Sequence, residues 1–427
     1  RGGHLPDRGA QASGGDKAMS AALHRLANGL TVAVDPMAGA QSASVGIYAS
    51  VGSRSESEGL GGLAHLVEHM VFKGAGGRDA RAIAEAIEDV GGSLNAWTAR
   101  DQTVFHARVL KADVPLAMEL VADLVRQPTL DADELEREKQ VILSELGEAL
   151  DQPDDLIHDH LFEAIYGRQP IARPVLGREP TIRAATTADC RAWLEREYRP
   201  ERLVIAASGA VDPDAIVAMA ERLFGDLETG VAPAIAAATF AGGTRHDRRS
   251  FEQAHWAFAM KGVAANDPAA PALGLFTHAV GGGMSSRLFQ QLREDRGLAY
   301  SVYAWGQGFA DTGLFAVNCA TDGKQAAEAM ALARDIVARA AEDLSEAELA
   351  RARAQMEAGL LMSLESVQSR ADQMARSIEV FGRIVPAEEL VAELRAVDVA
   401  AARAAGRALH DGPVAIASIG SKLALAA

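Results

Sequence analysis

Apolar residues along this chain follow two rhythms, a strict alternation and a recurrence every about 3.6 positions, and the switches between them mark out its elements. Residues 24–35 hold two short runs that meet at Asn28-Gly29, a dipeptide that tolerates the positive backbone angles of a tight hairpin. Residues 42–51 alternate small and apolar side chains and read as a strand that runs into a loop over 52–59. From Gly59 to Gly74 the spacing turns helical, and a second amphipathic helix is predicted over 79–90. Residues 91–109 form a pair of strands, the first a candidate sheet edge. Helices follow over 111–127, stopped by Pro128, and over 131–150. A helix over 186–198 with Thr187 as its cap, a strand over 203–209 and a helix over 213–224 complete this half.

The second half repeats the pattern. Leu130-Asp-Ala-Asp-Glu-Leu-Glu-Arg-Glu138 aligns with Leu344-Ser-Glu-Ala-Glu-Leu-Ala-Arg-Ala352 at an offset of 214. Each segment follows an alternating strand, over 103–109 and 312–319, and then an Ala-rich helix. A repeat of this length predicts an α+β protein of two homologous domains, each a mostly antiparallel sheet packed with helices. The boundaries expected are a disordered or non-native leader over 1–18, a first domain over 19–228, an Ala/Gly/Pro-rich linker over 229–249 and a second domain over 250–427.

Composition narrows the class. Hydrophobic residues at 48% and charged ones at 23% match a globular protein, and 427 residues exceed one ordinary core. No uninterrupted apolar run reaches the about 18 residues of a membrane-spanning helix. The net charge of −16 repels nucleic acid and can attract basic peptides. Cys190 and Cys319 stand far apart, which suits neither a disulfide framework nor a cysteine metal site. With no secretion signal visible after Met19, a cytoplasmic protein is expected, or a periplasmic one if a signal has been lost.

The candidate chemistry sits in His65-Leu-Val-Glu68-His69. On a helix the two imidazoles lie one turn apart on one face with Glu68 beside them, a place for a metal ion and a base. A catalytic zinc usually takes three protein ligands and keeps a fourth position open, so a third must come from elsewhere. The candidate is Glu145, in the helix predicted over 131–150. There Leu135, Val141, Ile142 and Leu146 form an apolar stripe, while Glu138 and Glu145 share a second one. Glu145 would bind metal, and Glu138 would orient a ligand histidine through its free ring nitrogen. Glu68, not itself a ligand, would take a proton from the attacking water and deliver it to a leaving amine. The repeat argues that these residues are not scaffold. At the same offset Glu138 becomes Ala352 and Glu145 becomes Gly359, and Phe276–Met284 holds one His and no Glu. The lone His278 reads as structural.

At these residues the chain resembles the M16 metallopeptidases, the family of pitrilysin, insulin-degrading enzyme and mitochondrial processing peptidase. The resemblance runs from about Leu26 to the C-terminus, and its motifs are residues 59–74 and 92–109 and the 76-position spacing from His69 to Glu145. It implies an M16/LuxS-like fold, one zinc per chain held by His65, His69 and Glu145, Glu68 as general base, and Glu138 behind a ligand histidine. It also implies that Arg293 and Tyr300, in Arg293-Glu-Asp-Arg296-Gly-Leu-Ala-Tyr300, reach a distant zinc site and hold substrate carbonyls. Read without it, they are a helix-surface Arg and a strand Tyr. The glycines at 281–283 open that stretch but lack both the P-loop Lys-Ser/Thr and a dinucleotide fingerprint. By the same resemblance the strand Ser93-Leu-Asn95-Ala96-Trp97 binds peptide as an added strand, through Asn95 and Ala96. The length matches the short two-domain subunits that dimerise, so a homodimer is expected, or a pairing with a zinc-less partner. The function expected is a zinc endopeptidase that cleaves unfolded peptides in a closed chamber. The alternatives are a site-specific processing peptidase and a non-catalytic peptide-binding subunit.

Overall fold

The computed structural model describes residues 21–231 and 233–420, so the leader expected over 1–18 lies outside them. A six-stranded sheet runs in the order Ala22–Arg25, Thr31–Pro36, Leu203–Gly209, Ser42–Ala49, Thr103–Leu110, Ser93–Thr98. Its single parallel pair joins Thr31–Pro36 to Leu203–Gly209; the other pairs are antiparallel. The hairpin at Asn28-Gly29 forms as its chemistry requires. Gly29 takes φ 90°, and the Asn28 amide reaches the Phe224 carbonyl at 2.7 Å.

A five-stranded sheet follows, in the order Ser301–Gly308, Gly313–Thr321, Ala254–Lys261, Val414–Ile419, Gly243–Asp247. Its one parallel pair is Val414–Ile419 with Gly243–Asp247. The segment 229–249 is therefore not all linker, since Gly243–Asp247 is an edge strand of this sheet. Its composition hid it, because an edge strand that buries none of its five residues carries no alternation. A smaller correction concerns the helix Thr187–Glu197, whose cap is Thr186 in a reciprocal bond pattern with Asp189.

Both sheets are covered on two faces, which is why their central strands lack polar alternation. Ser42–Ala49 is buried along all but its first residue. One face of the first sheet packs on helices from its own half, with Leu66, Val67, Leu120, Val121, Leu124 and Trp193 in the core. The other face is covered by Val367–Phe381, a helix from the far end of the chain: Ala371, Met374 and Ala375 meet Ala33, Tyr48, Val104 and Ala206. A row of polar contacts sets this helix's register. Ser44 donates to Gln368 at 2.6 Å, Tyr48 donates to Asp372 at 2.6 Å, and Arg370 pairs with Asp35 at 2.7 Å.

The exchange is reciprocal. Pro153–Tyr166, from the first half, lies on the second sheet, where Leu161, Phe162 and Ile165 pack with Ala257, Ala259, Phe309 and Ala417. This helix buries eight of its fourteen residues, so the apolar stripe a sequence reading looks for is blurred. No helix among the described residues is long and apolar enough to cross a membrane.

The exchange makes a prediction. Phe162 is 2% exposed and packs edge-on against Phe309 with ring centroids 6.1 Å apart. Phe162→Ala should cost about 3–5 kcal/mol of unfolding free energy in denaturant. Amide exchange should rise first in Ala254–Lys261 and Val414–Ile419, strands remote from residue 162 in sequence.

Candidate metal centre

The helix Leu63–Val71 begins without a side-chain cap of its own. Its N-terminal neighbour Gly62 sits at φ 89°, and a Cβ there would lie 2.6 Å from Ile182 Cδ1, so glycine is required twice over. The first amides are held instead by Glu56, which accepts from Gly62 N–H at 2.9 Å and from Ala64 N–H at 2.8 Å. Glu56 is 4% exposed. Burial pushes its carboxyl up to about 8, against the pull of those amides and of Arg173. Leu63, Ala64, Leu66, Val67, Met70 and Val71 are buried, which turns His65, Glu68 and His69 to the open side.

The facing helix Ala132–Asp151 is capped by Asp131, which accepts from Asp133 and Glu134 N–H. Leu135 and Ile142 anchor it, whereas Val141, expected in the apolar stripe, is 43% exposed. Glu145 Oε2 lies 3.9 Å from His65 Nε2 and 3.7 Å from His69 Nε2, and the three ligand atoms fall within 4.8 Å of one another. These separations are too long for hydrogen bonds and short enough for three lone pairs to share one ion. His69 Nδ1 bonds Glu138 Oε2 at 3.0 Å, and Glu138 Oε1 pairs with Lys73 Nζ at 2.8 Å. That arrangement leaves the hydrogen of His69 on Nδ1 and its Nε2 lone pair toward Glu145. Burial, and then His69 next to it, lower His65 to about 4, which favours its neutral, lone-pair-donating form. Two imidazoles and one carboxylate, with Glu145 39% exposed at the mouth, fit a catalytic zinc with an open position.

Glu68 stands apart from this group. Its Oε2 accepts a 2.5 Å hydrogen bond from Thr98 Oγ1, at the end of the edge strand. Burial raises its pKa, while the Thr98 bond lowers it. Among the described residues the strand Ser93–Thr98 pairs only with Thr103–Leu110, which leaves its outer edge open. Leu94 and Ala96 face the core, and Asn95 is exposed with its Oδ1 accepting from Ala96 N–H at 2.8 Å.

Arg293 and Tyr300 lie on the second half. The Arg293 guanidinium stacks 4.8 Å from the Phe289 ring centroid, and Tyr300 is 71% exposed. Among the described residues neither forms a hydrogen bond or ion pair with His65, Glu68, His69 or Glu145. The structure thus brings together His65, His69, Glu145, Glu138 and Glu68, places Asn95 and Ala96 on the neighbouring strand, and leaves Arg293 and Tyr300 outside the cluster. Glu56, Lys73 and Thr98 make contacts in this site that sequence reasoning missed. Only Lys73 had a local signal, its spacing of four residues from His69, although the helix ends at Val71 and Lys73 lies in the turn that follows.

The family model described as Insulinase (Peptidase family M16) matches residues 31–179, and the one described as Peptidase M16 inactive domain matches 184–356. An uncharacterized zinc protease of Streptomyces coelicolor is 36% identical over 392 residues, 90% of this chain and 85% of that protein. One from Mycobacterium tuberculosis H37Rv is 37% identical over 410 residues, 94% of each chain. A crystal structure of a peptidase M16 inactive domain from Pseudomonas fluorescens superposes with TM-score 0.88 and 25% identity, covering 96% of this chain and 100% of that one.

The Glu138 bridge generates a test. Glu138→Gln keeps the shape but removes the charge between His69 and Lys73. Zinc affinity, read by competition with a chromophoric chelator, should fall by about 10–100-fold with little change in folding.

Proposed function

The chain belongs to peptidase family M16, and on that premise we propose that it is a zinc-dependent endopeptidase acting on extended peptides. The observation that carries this reading is the convergence of His65, His69 and Glu145 within 4.8 Å with Glu68 alongside but outside the ligand group. One zinc per chain would be held by those three residues and would supply Lewis acidity to a water and to the scissile carbonyl.

The chain's own residues do the rest. With one Glu68 oxygen taken by Thr98, the other receives a proton from the attacking water. As the C–N bond breaks, the same carboxyl gives that proton to the departing nitrogen and returns to its charged form. Burial, which raises the Glu68 pKa, favours holding the proton between the two events. The open outer edge of Ser93–Thr98 offers backbone donors and acceptors to a peptide laid beside it, a recognition that reads extended chain rather than sequence. Asn95 and Ala96 are the contacts on that strand, and a docking peptide competes with Asn95 Oδ1 for the Ala96 N–H.

In this reading Arg293 and Tyr300, which among the described residues form no hydrogen bond or ion pair with the cluster in their own chain, are supplied by a second chain. A homodimer in which one chain's second half faces the other's first half brings a cation and a phenol to the developing oxyanion. Pairing with a zinc-less subunit is the alternative, as is a processing role at defined sites. A non-catalytic peptide-binding role is disfavoured by the intact Glu68, since binding alone has no use for a base beside the metal.

Zinc-loaded wild type should cleave a quenched fluorescent peptide, chelation should abolish cleavage, and Glu68→Gln should retain zinc while losing at least about 100-fold in kcat. A mixing experiment tests the shared site. Glu68→Gln and Tyr300→Phe chains, each nearly inactive, should recover about a quarter of wild-type activity when refolded together, because half the dimers then hold one intact site. If the mixture stays inactive, Tyr300 acts within its own chain, and if Tyr300→Phe alone keeps full activity, Tyr300 has no part in the site.

A further inference from the structure

The Glu68 carboxylate is tied to the strand beside it, and the bonding pattern allows only one direction for the tie. Thr98 is the last residue of the edge strand Ser93–Thr98 and pairs with Thr103 at the final rung. Its hydroxyl lies 2.5 Å from Glu68 Oε2 and 3.5 Å from Thr103 Oγ1. The Thr103 hydroxyl is fully buried and donates to the Val51 carbonyl at 2.9 Å. Its one hydrogen is therefore committed, and it can offer Thr98 nothing but a long acceptor contact. The Thr98 hydrogen goes to Glu68, whose oxygen lies a full ångström nearer than that of Thr103.

Resting on the peptidase reading above, we propose that Thr98 is a positioning residue that locks the Glu68 carboxylate into the frame of the peptide-binding edge. Base and bound peptide then share one rigid support. The strand that aligns the scissile bond also holds one oxygen of the base, so the free oxygen keeps a fixed distance from the backbone being cut. Thr98 touches neither peptide nor metal in this role; it acts through Glu68. The backbone supports the coupling. Leu94 and Ala96, on the same face of the strand as Thr98, pack into the core that the metal-bearing helix shares, so the strand does not move independently of that helix. Displacements of about 1 Å at a catalytic group are enough to cost about 100-fold in rate.

The test compares Thr98→Val, which keeps the shape and β-branching but removes the hydroxyl, with Thr98→Ser, which keeps the hydroxyl. Both are assayed with zinc bound, after confirming wild-type zinc content and Tm; Thr98→Ala replaces the valine variant if that one fails the check. Thr98→Val should lower kcat by about 10–100-fold with KM within about twofold, and Thr98→Ser should stay within about threefold of wild type. In a Glu68→Gln background, Thr98→Val should leave the Kd for an uncleaved fluorescent peptide unchanged. The proposal is overturned if Thr98→Val keeps full kcat, if serine fails to rescue, or if the loss appears as weaker peptide binding. An inactive wild type with zinc bound is a different result, because it removes the peptidase reading itself, whereas an active wild type with an indifferent Thr98 removes only this inference.

Discussion

The site depends first on how one helix is started. Leu63–Val71 has no capping side chain at its N-terminus, and a helix in that state leaves its first amides without acceptors. Each such amide, buried, costs about 1–3 kcal/mol. Glu56 removes that cost by entering from a loop and accepting two of them, and this fixes the rotation of the helix and hence the direction of His65, Glu68 and His69. The loop is itself held by the second half of the chain. Arg54, with its side chain 5% exposed, pairs with Asp311 at 2.5 Å and donates to the Ala236 carbonyl at 2.8 Å. Asp311 in turn accepts from Ala238 N–H in the connecting segment. The helix that carries His65, Glu68 and His69 is thus seated by residues of both halves of the chain.

The exchanged helices make that dependence unavoidable. A sheet covered on one face by its own helices still has a second apolar face, and each sheet here covers it with a helix from the other half. Neither half can bury its sheet alone, so the second half is structural support for the candidate metal site even though it holds none of the candidate ligands. Its polar bonds to Ser44, Tyr48 and Asp35 set the register of Val367–Phe381 where apolar packing alone would allow sliding.

What was legible in the sequence was what is local. Asn28-Gly29 specifies its hairpin through backbone angles alone, and His65 and His69 share a face because of helix geometry alone. Glu145 was legible because an acidic stripe stands out on a helix with its own apolar stripe, although Val141 was wrongly included in the latter. The features that escaped are set by contacts across the fold. Glu56 caps a helix from outside it, Thr98 reaches Glu68 from another element, and Pro153–Tyr166 is buried on too many sides to show a stripe. Gly243–Asp247 was hidden for the opposite reason, since its edge position buries none of its residues.

The second half shows what the first had to keep open. There too a helix, Ala270–Gly281, packs beside an edge strand, Ser301–Gly308. In the first half the corresponding contact is side chain to side chain, Glu68 to Thr98. In the second it is backbone against strand, because a Cβ on Gly281 would lie 2.4 Å from the Ala304 nitrogen. At Gly281 that approach leaves no room for a side chain. On the outer side of the same helix His278 bonds the neutral Gln355 at 2.8 Å, where the first half sets imidazoles against Glu145. The second half thus repeats the helix-and-edge-strand arrangement and leaves a cavity of about 520 Å³ between the two, lined by Gly274, Thr277, His278 and Ala304 among others. What it lacks there is the set of side chains, two imidazoles facing a carboxylate with a second carboxylate beside them, that the first half places on its helices.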